Sequence, residues 1–86
     1  MRVKRVDLPP SRVYLVNDFL RAYGYHFTAR GFQVHGECKP AMEVWSIFRA
    51  GGDEIGYVNF PVQEITPRDI SMLIINEIEK WRKKLK

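Results

Sequence analysis

Glu43-Val44-Trp45-Ser46-Ile47-Phe48-Arg49, followed by Ala50-Gly51-Gly52-Asp53 and a second run from Ile55 to Val62, is the stretch that decides the fold. Two segments rich in β-branched and aromatic residues flank a pair of glycines, which is the pattern of a β-hairpin. In the first, Val44, Ser46 and Phe48 fall on one side and Trp45 and Ile47 on the other. Pro61 cannot donate to a ladder, so it belongs at an edge or at the end of the returning strand.

Working upstream, Tyr25, Phe27 and Ala29 alternate with His26, Thr28 and Arg30, a period of two that predicts another strand. The apolar parity switches after Gly31 to Phe32 and Val34, so Gly31 is read as a bulge or turn, and Gly36 to Pro40 as loop. Before this strand, Ser11 is the expected N-cap of a helix running to about Tyr23, with Val13, Val16, Leu20 and Tyr23 on one face, Phe19 beside them and Gly24 as terminator. Residues 1–10 form a basic N-terminal arm or an edge strand, stopped by Pro9-Pro10. Downstream, Thr66 caps a helix with Pro67 at its first position and Asp69 in its first turn. Ile70, Leu73, Ile74, Ile78, Trp81 and Leu85 give it an apolar stripe. The expected architecture is α+β: helix–strand–strand–strand–helix, a three-stranded antiparallel sheet packed against two helices, as one domain over residues 1–86.

Eighty-six residues with 45% hydrophobic and 13% aromatic content suffice for one compact core and exclude a disordered chain. Cys38 is the only cysteine, so no intrachain disulfide forms, as fits a reducing compartment. No apolar run approaches the ~18 residues of a membrane span. A cytoplasmic protein is expected.

The charge is unevenly spread. Residues 1–12 carry Arg2, Lys4, Arg5 and Arg12 against Asp7, and residues 80–86 carry five cations and no acid. The stretch between holds five basic and nine acidic residues, within a formal net charge of +4. Cations in a last helical turn complement the helix dipole, but one or two suffice. Five in seven residues exceed that need and point to a polyanionic partner. Lys80, Arg82, Lys83, Lys84 and Lys86, joined by Arg2, Lys4 and Arg5, are the candidate phosphate contacts, and Trp45, Tyr57 and Phe60 a candidate base-stacking surface.

Signatures of catalysis are weak. His26 falls on the side opposite Tyr25 and Phe27 and reads as a solvent-facing residue. His35 and Cys38 with Glu37 between them form too small a set for a zinc site. Gly51-Gly52 lacks the Lys-Ser/Thr of a phosphate-binding loop. No metal or cofactor is expected.

The order of elements resembles the double-stranded-RNA-binding domain. That family carries phosphate-binding lysines at the start of its second helix, where this chain reads Thr66-Pro67-Arg68-Asp69. Gly24-Tyr25, Phe60-Pro61 and Glu64-Ile65-Thr66-Pro67-Arg68-Asp69-Ile70 are similar to segments of the HicA-type mRNA interferases. That resemblance implies a minimal α+β fold and RNA as partner. The family's catalytic histidine lies in a Gly-Ser-His step at the start of the second strand; the corresponding Pro40-Ala41-Met42-Glu43 has none, and His35 is the nearest histidine. The expectation is a small nucleic-acid-binding protein, RNA ahead of DNA, using its basic ends. The alternatives are an interferase with His35 as general base or a protein-interaction module, including a homodimer formed through a sheet edge or the C-terminal helix.

Overall fold

The computed structural model describes residues 3–37 and 39–84. The elements run β1 (Val3–Asp7), α1 (Pro10–Ala22), β2 (Phe27–Gly36), β3 (Met42–Arg49), β4 (Glu54–Pro61) and α2 (Pro67–Lys84). The fold is α+β, but the sheet has four antiparallel strands in the order β1-β2-β3-β4, not three. Residues 3–7 form an edge strand, with Val3 opposite Gly36 and Asp7 opposite Phe32. This strand alternates weakly in sequence because four of its five residues are exposed. An outer edge needs no apolar period.

The hairpin over Ala50–Asp53 forms as expected, with Gly51 and Gly52 at positive φ, where a residue lacking Cβ is favoured. Helix α2 begins at Pro67, and the Thr66 hydroxyl accepts the Asp69 N–H at 3.1 Å. Its buried arc runs through Ile70, Ser71, Ile74, Ile75 and Ile78. The expected stripe is therefore turned slightly, leaving Leu73 38% exposed. Helix α1 starts two residues earlier than its sequence suggests: Pro9 is the N-cap without a side-chain hydrogen bond, and Ser11 lies inside the first turn.

Both helices lie on one face of the sheet. That face contributes Ala29 from β2, Trp45 and Ile47 from β3 and Phe60 from β4. They form one hydrophobic cluster with Leu8 and with Val16, Leu20, Ile70, Ile74, Ile75 and Ile78 of the helices. Gly31 is neither bulge nor turn. The β2–β3 register passes through it unbroken, Gly31 opposite Trp45. A Cβ there would lie 2.7 Å from Leu8 Cδ1 and 2.8 Å from the Trp45 ring, so the indole occupies the space of a missing side chain. Gly56 makes the same concession to Trp81, whose ring would lie 2.7 Å from a Cβ.

Strand β1 ends opposite Phe32, which leaves the adjoining edge of β2 without a partner strand. Asn17 of α1 fills the gap. Its Oδ1 accepts the Ala29 N–H at 2.8 Å, and its Nδ2 donates to the Ala29 carbonyl at 3.0 Å and to Val13 O at 2.9 Å. One side-chain amide thus replaces a neighbouring peptide and fixes α1 to the sheet.

Asn17→Leu leaves both backbone groups of the buried Ala29 unpaired and is expected to cost about 2 kcal/mol or more, read as a lower urea midpoint at unchanged slope. Gly31→Ala is expected to cost about 1–3 kcal/mol by overpacking against Trp45. A stability equal to the parent's in that variant would refute the close approach of the indole.

Candidate nucleic-acid interface

Among the described residues, no helix lies on the second face of the sheet. Antiparallel register places Arg5 and Asp7 of β1, Thr28, Arg30, Phe32 and Val34 of β2, Met42, Val44, Ser46 and Phe48 of β3, and Tyr57 and Asn59 of β4 on it. Phe32, Val34, Val44 and Phe48 are half-buried by their neighbours alone, and Tyr57 is 61% exposed. From strand geometry, Phe48 and Tyr57 stand about 8 Å apart and Phe32 about 12–14 Å from either.

Two arginines lie on these rings in the same diagonal relation. The Arg5 guanidinium carbon is 4.1 Å from the Phe32 centroid, across β1 and β2, and that of Arg30 is 5.1 Å from the Phe48 centroid, across β2 and β3. Both contacts are within cation–π range. Among the described residues Arg5 has one loose ion pair, to Asp7 at 3.9 Å, with both side chains largely in water. Such a pair contributes little. Arg30 has no ion-pair partner within 4.0 Å among the described residues. Glu54 is the other acid near this face.

The expected stacking trio is divided by register. Trp45 and Phe60 point into the core, fully and 92% buried respectively, and only Tyr57 reaches the open face. The indole N–H of Trp45 donates to Glu43 Oε2 at 2.7 Å. Arg12 approaches Glu43 Oε1 at 3.8 Å and donates to the Ile65 carbonyl at 3.1 Å.

The basic ends do not meet. Lys4 is paired in register with His35 near the end of β2, whereas Arg82 lies over Tyr25 and over Phe27 at the start of β2, 5.4 and 5.9 Å from the ring centroids. Eight residues of strand, about 26 Å, separate them. At the α2 end, Lys80 pairs with Glu77 at 3.2 Å and Arg82 with Glu79 at 3.3 Å. Lys83 is exposed and has no ion-pair partner among the described residues. Arg2 and Lys86 lie outside the described residues, as do Cys38, Leu85 and the side chain of Lys84. Beside this end a groove of about 570 Å³ is floored by Phe27, Ile55, Ile78 and Trp81, but its rim alternates Arg49 and Arg82 with Asp53 and Glu54. It therefore holds no field of one sign.

His35 is exposed, and its Nε2 lies 3.1 Å from Gln33 Oε1. His26 is exposed in the segment before β2. Among the described residues, no group of three or more His, Cys, Asp or Glu side chains is arranged to hold a metal, and no helix is long and apolar enough to cross a membrane.

Arg30, Phe32 and Phe48 escape a reading based on charge runs because each stands alone in sequence. Their signal is that both sides of β3 are apolar while two helices can cover only one. No protein family, curated protein or solved structure matches this chain.

An ionisable group displaced from its ordinary range lies at the α2 junction. Tyr25 donates its hydroxyl to Glu79 Oε1 at 2.6 Å. That hydrogen bond, then desolvation and the Glu79 charge, hold the phenol above its usual 10.0, against the opposing pull of Arg82. A pKa raised by folding means stability that is complete below the unfolded value and lost as pH rises through the folded one. Urea midpoints measured from about pH 8 to 11 are therefore expected to fall less steeply in Tyr25→Phe than in the parent. Parallel profiles would remove this bond from the alkaline transition.

Proposed function

We propose that the protein binds nucleic acid, RNA ahead of DNA, through phosphate contacts from exposed cations. The observation that carries this reading is the uncovered sheet face, where Arg5 and Arg30 stand beside Phe32, Phe48 and Tyr57 on a rigid four-stranded platform. Positive groups neutralise phosphate, and aromatic faces accept bases without regard to sequence. Lys4 and Lys83 add contacts at opposite ends of the molecule rather than in one patch. RNA is preferred because it routinely presents unpaired bases in loops and ends, which aromatic and guanidinium planes bind. The start of α2, with one cation and one acid, offers no lysine cluster for duplex RNA.

Phosphate contacts position a strand but do not read it, so weak sequence preference and strong salt dependence are expected. Four phosphate contacts imply a loss of roughly 50-fold in single-strand affinity between about 50 and 200 mM salt. The test is anisotropy of labelled single-stranded RNA, duplex RNA and duplex DNA. Ending the chain at Glu79 would also remove Trp81 from Gly56, so Lys83→Gln with Lys84→Gln and Lys86→Gln is the cleaner comparison. Binding that falls with salt and weakens in the triple variant supports the reading. A folded protein that binds none of the probes refutes it, and concentration-dependent sedimentation would then assign the open face to self-association.

A further inference from the structure

Resting on that reading, we infer that the open sheet face is a site for unpaired bases, in which Arg5 and Arg30 act as stacking platforms in addition to supplying charge. The geometry is specific. Each guanidinium lies against a phenylalanine ring of the neighbouring strand, and the same diagonal offset recurs from β1 to β2 and from β2 to β3. An exposed guanidinium over a ring can lie flat on it and turn its second side to solvent, where a base can complete a ring–guanidinium–base stack. Tyr57, exposed one strand further on, supplies a third surface.

The occupant follows from this chemistry. Bases inside a duplex are already stacked on one another and present only their edges, so a set of outward-facing planes has nothing to accept from duplex RNA or DNA. An unpaired strand offers a π face at every base. The charge on the platform is also limited: Asp7 and Glu54 border the face with two acids against its two arginines, so attraction to phosphate alone does not explain a strand lying here. A lysine keeps the charge of arginine but not its plane. The inference therefore separates the two roles of the same residue.

The test uses the full chain carrying Arg5→Lys and Arg30→Lys together. The probes are a labelled oligouridine of about 16 nucleotides and duplex RNA of about 16 base pairs. Both arginines are exposed, so the fold is expected to hold, which a urea midpoint checks. The parent is expected to favour the single strand, and the double variant to lose roughly ten-fold in affinity for it while the slope of log affinity against log salt stays unchanged. Phe48→Leu with Tyr57→Leu, which preserves charge and keeps an apolar side chain at both positions, is expected to lose a similar factor. If the lysine variant binds the single strand as the parent does, or if the duplex binds equally well, the stacking role is refuted while nucleic-acid binding stands. Absence of binding to either probe overturns both readings.

Discussion

The Trp45 indole is the constraint around which the molecule is arranged. It stands at the centre of the sheet, fully buried, and β2 must pass beneath it as Gly31 because no other residue fits. Its N–H must find an acceptor, and Glu43, two residues along the same face, provides one. A carboxylate enclosed to 1% exposure then needs a cation, and Arg12 of α1 approaches it while also donating to the carbonyl of Ile65, ahead of α2. Breaking a buried pair by removing one partner leaves an uncompensated charge, which costs far more than the pair's net contribution. Through one ring and its polar handle, the first helix, the central strands and the entry to the second helix share one geometry.

That arrangement also determines which face is left open. Both helices are committed to the side of Trp45, Ile47 and Phe60. Helices of 13 and 18 residues cover one side of four strands and no more. The remaining side carries Phe32, Val34, Val44 and Phe48, shielded only by neighbours on the sheet and by two arginines. Half-buried aromatic residues on an uncovered sheet have a packing explanation in part, since cross-strand pairs stabilise sheets.

Local features were legible in the sequence and long-range ones were not. Thr66 and Pro67, the Gly51-Gly52 turn and the alternation of Trp45 and Ile47 against Val44 and Phe48 each depend on neighbours within a few residues. The edge strand was ambiguous because solvent, not a core, surrounds most of it. Gly31 was misread because its cause, a tryptophan on the adjacent strand, is fourteen positions away. The aromatic trio failed for a different reason: Tyr57 and Phe60 stand three apart in β4 and so fall on opposite faces, a parity the strand itself carries, and register sets Trp45 on the side of Phe60. The cations were visible as runs, but charge counts cannot show that Lys4 and Arg82 lie at opposite ends of the sheet, nor that Glu77 and Glu79 answer two of them.

The outer side of β1 has one further consequence. An edge strand offers a row of free peptide groups to any other strand, including the same strand of a second molecule. Here that row is flanked by the exposed Lys4 and Arg5, whose charges oppose any register that sets them against their own copies. Arg5 thereby places a charge as a guard on that border and a guanidinium over Phe32. Neutral substitution at that position removes both at once, whereas lysine preserves the guard.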